Sequence, residues 1–261
     1  MPAPLLKSKT FSPRDLRAPG VSPWARALRR LAFRLGVEAT PFAVNGILRR
    51  RFTVSRHKLL EYSRSAAAVL PTSGTKAGAD SGPGEEIAPP RILDFGGAAT
   101  LPIFFFAARG CEVECLDVDE ALTEYTNRVA CDHGWHLHAS THNLVDSPAP
   151  AHWQLFDAVV SASVLEHIPK PSQGMVVRRL GALLRSGGVL ALSFDYGDDA
   201  PQPGAIRDPA EVHRLVAASG LAYPLSEQDI QHFEDTGERF ALDRRYPRNR
   251  FTFGSLFLRK E

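Results

Sequence analysis

From Pro90 onward, short apolar runs bounded by turn residues alternate with stretches whose apolar residues recur at helical spacing. The runs predict strands at 91–95, 112–117, 135–140, 156–161, 189–195 and 250–259. The periodic stretches predict helices at 101–109, 119–131, 175–184 and 208–219. Strands that alternate with helices through short connections indicate a parallel sheet covered on both faces, and right-handed crossovers make this a doubly wound α/β fold.

The first 90 residues have a different pattern. A high density of prolines predicts an irregular leader that is not expected to pack. Two amphipathic helices follow, at Trp24–Leu35 and Ser55–Leu70, and then a stretch rich in Pro, Gly, Ser and Ala that indicates a flexible linker. The predicted organisation is a leader (1–22), a basic helical segment (23–70), a linker (71–90) and an α/β domain (91–261).

Composition excludes several classes of protein. Hydrophobic residues make up 44% and charged residues 23% of the chain, which excludes a collagen, a disulfide miniprotein and a wholly disordered chain. No apolar run reaches the roughly 18 residues that a membrane-spanning helix needs. Three cysteines form no paired framework, so we expect buried thiols in a reducing, cytoplasmic setting.

The net charge of +2 hides an asymmetry between the two parts of the chain. Residues 1–70 carry fourteen Lys/Arg and three Asp/Glu, a net charge of +11, and the remainder carries −9. The basic face of the first helix could meet nucleic acid, an anionic membrane or an acidic substrate, or it could be a solvated face that docks on the acidic domain. An Arg-rich organelle targeting segment is a further alternative for residues 1–36.

Candidate chemistry begins at the loop after the first strand of the α/β domain, which reads ILDFGGAAT. Gly96 and Gly97 allow a tight turn and a close approach of the backbone to a ligand, and the next helix directs free N–H groups at the same place. Asp117 ends the second strand, where an acid suits the two hydroxyls of a ribose. These features indicate a nucleoside-containing cofactor; the alternative is a tight turn beside a solvated acid.

Four ordered motifs resemble class I S-adenosylmethionine-dependent methyltransferases of the small-molecule branch. They are ILDFGGAAT, ECLDVDE, FDAVVSASVLEHI and LLRSGGVLALSF. The resemblance implies a Rossmann-like, seven-stranded, mostly parallel sheet whose antiparallel last strand is FTFGSLFLRK, with the N-terminal helices as a cap. Ala98 and Thr100 replace two glycines of the family's loop, and a methyl group at position 98 would narrow the approach to the cofactor and disfavour positive φ.

The resemblance also implies a set of site residues. The positions expected to contact S-adenosyl-L-methionine are Asp94, Gly96, Gly97 and Ala98 at the methionine end, Asp117 at the ribose, Val118, Asn143 and Leu144 at the adenine, and Ser161 beside the methionine moiety. His167 is the candidate general base, or else a structural histidine, and Glu166 is an orienting group. Tyr62 is a further candidate contact. Asp195 and Tyr196, with the acids that follow them, would form an acidic mouth suited to a polyol, sugar or amine.

The expected function is transfer of a methyl group from S-adenosyl-L-methionine to a small-molecule or glycan-type acceptor. A nucleic-acid methyltransferase is disfavoured because Ser-Ala-Ser-Val stands where amino-directed enzymes of that kind usually carry Asn/Asp-Pro-Pro-Tyr/Phe. A nicotinamide oxidoreductase is disfavoured because Ala98 and Leu101 occupy glycine positions of its loop. A non-catalytic binding module remains an alternative. No metal is expected, since the histidines between Cys131 and His142 match no common zinc signature. The acceptor and the oligomeric state stay open, as does peripheral membrane contact through the basic N-terminus.

Overall fold

The computed structural model describes residues 6–35, 54–70, 88–150, 153–223, 233–240 and 250–261. The strands are β1 (Lys9–Thr10), β2 (Arg91–Phe95), β3 (Glu112–Asp117), β4 (Leu137–Thr141), β5 (Phe156–Ala162), β6 (Leu184–Tyr196) and β7 (Thr252–Arg259). The helices are α1 (Ser22–Leu35), α2 (Arg56–Val69), α3 (Leu101–Ala107), α4 (Glu120–His133), α5 (Lys170–Ala182) and α6 (Pro209–Ser219), with short 3₁₀ helices at Pro13–Arg17 and Leu165–His167.

The seven strands form one sheet in the order β1-β7-β6-β5-β2-β3-β4. The five strands from β6 to β4 in this order pair in parallel, whereas β7 is antiparallel to β6. The order of the strands reverses between β2 and β5, and open α/β sheets bind ligands outside the carboxyl ends of the strands at such a point. The predicted α/β fold, mostly parallel with an antiparallel last strand, is confirmed.

The edge strand β1 comes from the N-terminal leader. The prediction that residues 1–22 are irregular is wrong for the described residues 6–21. Thr10 pairs with Gly254 of β7, and Phe11 is 3% exposed with its ring centroid 5.8 Å from that of Phe253. Ser12 and Asp15 then form a capping box for the first 3₁₀ helix. Burial of an aromatic ring and pairing with the last strand hold this proline-rich segment in place.

Helices α1 and α2 are part of the core. Helix α1 buries the predicted stripe of Trp24, Leu28, Leu31 and Leu35. Arg64 of α2 is 3% exposed; its Nε donates to Ser255 Oγ of β7 at 2.8 Å, and its guanidinium lies 3.7 Å from Asp15. A buried arginine with these partners ties α2 to the sheet and to the leader at once. Residues 71–87 of the predicted linker and Arg49 to Arg51 lie outside the described residues.

The boundary between α5 and β6 differs from the prediction. The helix begins at Lys170 rather than Met175, because Pro171 is accommodated in its first turn, where no N–H is needed. It ends at Ala182, and Gly187 lies inside β6 with a φ of 76° instead of ending the helix. Gly187 therefore serves as an irregular point in a strand, where a positive φ favours glycine.

Candidate active site

The loop between β2 and α3 packs so closely against its neighbours that two of its positions cannot carry a side chain. Gly96 has a φ of 77°, and a Cβ there would lie 2.6 Å from the side chain of Val164. A Cβ on Gly97 would lie 2.0 Å from Oδ1 of Asp94. Glycine is therefore required at 97 if the Asp94 carboxyl is to keep its position.

The N–H groups of this loop are bound within the protein. Gly96 donates to the Leu116 carbonyl at 2.7 Å, and Ala98 donates to Asp117 Oδ2 at 3.1 Å. The expected strain at Ala98 is wrong: its methyl group belongs to a hydrophobic cluster, and the positive φ, 60°, lies at Ala99. The loop consequently offers a ligand the Asp94 carboxyl rather than free N–H donors.

Asp94 is an enclosed carboxyl at the carboxyl end of β2. It is 1% exposed, and its Oδ1 has no hydrogen-bond partner among the described residues. Burial raises the pKa of Asp94 to about 8, the nearby Asp117 adds to the rise, and the Gly97 N–H opposes it. Buried acceptors are normally paired, so this oxygen favours a ligand that donates a hydrogen bond or carries positive charge.

Asp117 and Val118 lie at the end of the neighbouring strand, β3. Backbone N–H groups of Ala98 and Asp119, both at 3.1 Å, orient the two oxygens of the Asp117 carboxylate. Val118 is 66% exposed, although its neighbour Leu116 is fully buried. An oriented acid beside an exposed apolar side chain is the arrangement that a nucleoside requires.

The side chains of three other predicted contact residues are already hydrogen-bonded within the protein or buried in its core. The Asn143 side chain closes its own turn, donating to Asp146 Oδ2 at 2.8 Å and accepting from the Val145 N–H at 2.9 Å. Leu144 is fully buried in the core, so only its backbone can border a ligand. The Ser161 hydroxyl is buried and donates to the Phe95 carbonyl at 2.9 Å, which ties β5 to β2.

In the 3₁₀ helix after β5, the glutamate is buried and the histidine is exposed. His167 is exposed, and partial burial followed by the charge of Lys58 lowers its pKa. Glu166 is 2% exposed, and its Oε2 has no partner among the described residues. Burial raises the pKa of Glu166 to about 8, and Asp195 and Glu61 add to the rise. Glu166 is thus the more enclosed of the two groups that the motif predicted.

Helix α2 brings an ion pair to this side of the site, which sequence analysis missed. Glu61 is fully buried; its Oε2 lies 2.9 Å from Lys58 Nζ, and its Oε1 accepts hydroxyls from Ser163 at 2.7 Å and Ser193 at 2.5 Å. Lys58 Nζ also donates to Ser163 Oγ at 2.6 Å. Ser163 has a φ of 56°, rare for a residue other than glycine. The sequence shows only a Lys and a Glu three residues apart on a helix, which does not distinguish this pair from a solvated one.

The predicted acidic mouth is only partly formed. Asp195 is 7% exposed, and burial raises its pKa to about 6, with Lys58 opposing the rise. Tyr196 is fully buried and donates its hydroxyl to Asp235 Oδ2 at 2.9 Å, so it belongs to the core. Tyr62, by contrast, is near the site: burial raises its pKa to about 12 and Asp94 contributes to that rise.

Other predicted features lie away from this edge of the sheet. In the described part of the chain, no three His, Cys, Asp or Glu side chains are placed to share a metal ion. No helix there combines the length and the hydropathy needed to cross a bilayer. Cys111 and Cys115 are buried as predicted, whereas Cys131 is exposed. Phe33 of α1 is 88% exposed among arginines.

Comparisons with known proteins found one family match and several similar structures. Residues 92–188 match a family described as a methyltransferase domain. The structure resembles magnesium protoporphyrin IX methyltransferase (ChlM) from Synechocystis PCC 6803 with bound SAM, at 15% identity and a TM-score of 0.50 over 90% of this chain and 97% of that one. It also resembles geranyl diphosphate methyltransferase in complex with SAM, at 15% identity and a TM-score of 0.50 over 67% and 79%.

A third similar structure is TehB from Haemophilus influenzae, at 14% identity and a TM-score of 0.49 over 67% of this chain. The match spans 59% of that chain, which is less than two thirds of its length. A search of curated proteins found no match.

The fold, a mostly parallel seven-stranded sheet with an antiparallel last strand, is that of class I S-adenosylmethionine-dependent methyltransferases. Residues 92–188 match a methyltransferase domain family, and two of the similar structures hold bound SAM. The resemblance carried by the four motifs is thereby confirmed.

Proposed function

We propose that this chain transfers a methyl group from S-adenosyl-L-methionine to a small-molecule acceptor bound where β5, β6 and α2 meet. Two buried carboxyl oxygens without partners among the described residues carry the proposal, Asp94 Oδ1 and Glu166 Oε2. The first follows the glycine-loop strand and suits the cofactor. The second follows β5 and suits the acceptor.

The residues at the glycine loop fit the cofactor. Asp94 would accept a hydrogen bond from the amino group of the methionine moiety, and Gly96 and Gly97 allow the loop to pack closely around that carboxyl. Asp117, already oriented, would accept from the ribose hydroxyls, and the exposed Val118 would pack on the adenine. Ala98, Asn143, Leu144 and Ser161 would complete the boundary mainly through backbone atoms or second-layer contacts.

When bound, S-adenosyl-L-methionine would supply a methyl group on a sulfonium sulfur, whose thioether is the leaving group. The chain therefore contributes chiefly proximity and orientation. His167, whose pKa is lowered by partial burial, can accept a proton that the methylated product releases. Glu61, Glu166 and Asp195 are all buried on this side, which favours a small polar acceptor.

The test is transfer of labelled methyl from S-adenosyl-L-methionine into a small-molecule extract, with Gly97→Val as the control. We expect labelled product in the low-molecular-mass fraction for the parent and none for Gly97→Val, because a side chain at 97 collides with the Asp94 carboxyl. Chromatography with mass spectrometry measures the product. Label confined to protein or nucleic acid would refute a small acceptor.

Asp117→Asn is expected to weaken binding of S-adenosylhomocysteine by about 1.5–3 kcal/mol, since hydrogen bonds to a charged acceptor are lost. The fold should persist, because asparagine can still accept the Ala98 N–H. Isothermal titration calorimetry gives the affinity, and Glu124→Gln, an exposed acid on α4, is the matched control. Parent-like affinity in Asp117→Asn would place the ribose elsewhere.

A further inference from the structure

Five residues on the acceptor side form what we call the acceptor cluster. They are Lys58 and Glu61 of α2, Ser163 after β5, Glu166 of the 3₁₀ helix and Asp195 of β6. The cluster holds three carboxyls and one ammonium group. Lys58 is committed to Glu61 at 2.9 Å and to Ser163 at 2.6 Å. When all three carboxyls are ionised, Lys58 alone does not balance them within the cluster, although Arg207 acts on Asp195 from outside it.

Glu166 is held rigidly in this cluster. Gln173, itself 3% exposed, donates its Nε2 to the Leu165 carbonyl at 2.7 Å and to the Gly204 carbonyl at 2.6 Å. The Gly204 N–H donates to the Glu166 carbonyl at 3.2 Å, and a Cβ on Gly204 would lie 2.5 Å from that same oxygen. The backbone of the turn is thus held from two elements, which fixes the position from which the buried Glu166 side chain extends.

Glu166 Oε2 has no hydrogen-bond partner among the described residues, and carboxyls outnumber ammonium groups in the acceptor cluster. These two features indicate which kind of ligand would stabilise the cluster. A hydroxyl donor would satisfy Glu166 Oε2 but would leave the charge balance unchanged. An ammonium ion would donate the hydrogen bond and also supply the missing positive charge. One cationic amine would therefore supply both the missing hydrogen-bond donor and the missing positive charge.

We propose that the acceptor is a small amine that binds as an ammonium ion against Glu166, and that Glu166 takes its proton before methyl transfer. The proposal rests on the proposed function. The proton passes from R–NH₃⁺ to the Glu166 carboxylate, giving R–NH₂ and a neutral carboxyl, and the freed nitrogen lone pair is the nucleophile. The ion pair of Lys58 with Glu61 positions the cluster by keeping Glu61 from competing for the ammonium.

The titration of Glu166 supports this assignment. A carboxyl whose pKa is about 8 is closer to the pKa of an alkylammonium, roughly 10.4, than an ordinary carboxyl near 4.3, so it accepts the proton at a smaller cost. The charged and titratable groups that face Glu166 are Lys58 and Glu61 from α2, Asp195 from β6 and His167 on its own turn.

Saturation-transfer NMR on the full chain, with n-butylamine and 1-butanol as probes, tests the proposal. At about pH 8.5 the free Glu166 is mostly ionised and the amine is mostly protonated. We expect saturation of n-butylamine and not of 1-butanol, and weaker amine binding as the pH falls to about 6.5 and Glu166 gains its proton.

Glu166→Gln should lower amine affinity about tenfold or more and remove the pH dependence. Asp132→Asn, an exposed acid at the end of α4, is the matched control and should bind as the parent does.

Titration of S-adenosylhomocysteine into the same proteins separates the two proposals. If it does not bind to the parent, the proposed function fails, whatever the amine does. If it binds but n-butylamine gives no saturation, or 1-butanol saturates equally, the amine proposal is overturned. Unchanged amine binding in folded Glu166→Gln also overturns it. The comparison of amine with alcohol, and its pH dependence, use the parent alone and so decide the matter even if Glu166→Gln does not fold.

Discussion

A chain that lacks residues 1–70 will not form a stable methyltransferase domain. The missing segment contains β1, α1 and α2, and it carries at least seven large apolar side chains of 5% exposure or less, among them Trp24, Leu28 and Leu59. Each such side chain contributes about 1.5–3 kcal/mol when buried, whereas a whole domain is stable by about 5–15 kcal/mol. Removing them together exceeds that margin, so we expect loss of the fold rather than an opened site.

Urea denaturation followed by circular dichroism measures this effect. A chain that begins at Leu6 is the control, since it keeps every described residue of the N-terminal segment. We expect a cooperative transition for the control and a broad or absent transition for residues 71–261. A cooperative transition of the shorter chain, with S-adenosylhomocysteine still bound, would show that the helices are a removable cap.

The parts of the fold that were predictable are those whose signal is local. The strands at Arg91–Phe95 and Glu112–Asp117 were predicted to the residue, because the first has an apolar centre, the second begins with alternating acidic and apolar residues, and each ends at a turn. Strand β1 was not predictable in this way. It has two residues between prolines and forms only by pairing with β7, at the far end of the chain.

The residues of the candidate site also differ in whether a local sequence signal reveals them. Asp94 and Asp117 could be found because a strand, a glycine loop and an acid at fixed spacing carry their own signal. Lys58 and Glu61 could not, because their role depends on α2 packing against β5 and β6, which no spacing within α2 reveals. The motif did name Glu166, but only the packing of Gln173 and Gly204 shows how firmly it is held.

Asp94→Asn is expected to lower cofactor affinity and, at neutral to mildly alkaline pH, to raise the stability of the cofactor-free protein. The folded protein holds the Asp94 pKa at about 8, against an ordinary value of 3.8. Between these values the unfolded chain has lost the proton and the folded protein keeps it, so this carboxyl makes stability fall as the pH rises from about 4 to about 8. An asparagine does not titrate, so the fall attributable to this position disappears.

The expected loss of cofactor affinity comes from the ionised form of Asp94, whereas the gain in stability comes from its protonated form. Pairing with the amino group of the cofactor requires the Asp94 carboxylate, and replacing a charged acceptor by a neutral amide costs about 1.5–3 kcal/mol, or roughly 10- to 150-fold in affinity. Below about pH 8 the parent must release a proton as it binds, so its affinity should rise with pH up to about 8 and then level off.

Calorimetry with S-adenosylhomocysteine in phosphate and in Tris, at one pH near 7, measures both effects. These buffers differ in ionisation enthalpy, so a released proton appears as a difference in binding enthalpy between them. We expect that difference in the parent and in Glu124→Gln, and its absence in Asp94→Asn. Thermal denaturation without ligand, at about pH 5 and about pH 8, should show the stability gain of Asp94→Asn growing with pH. Parent-like affinity in Asp94→Asn, or a buffer dependence that survives the substitution, would mean that a different acid receives the amino group.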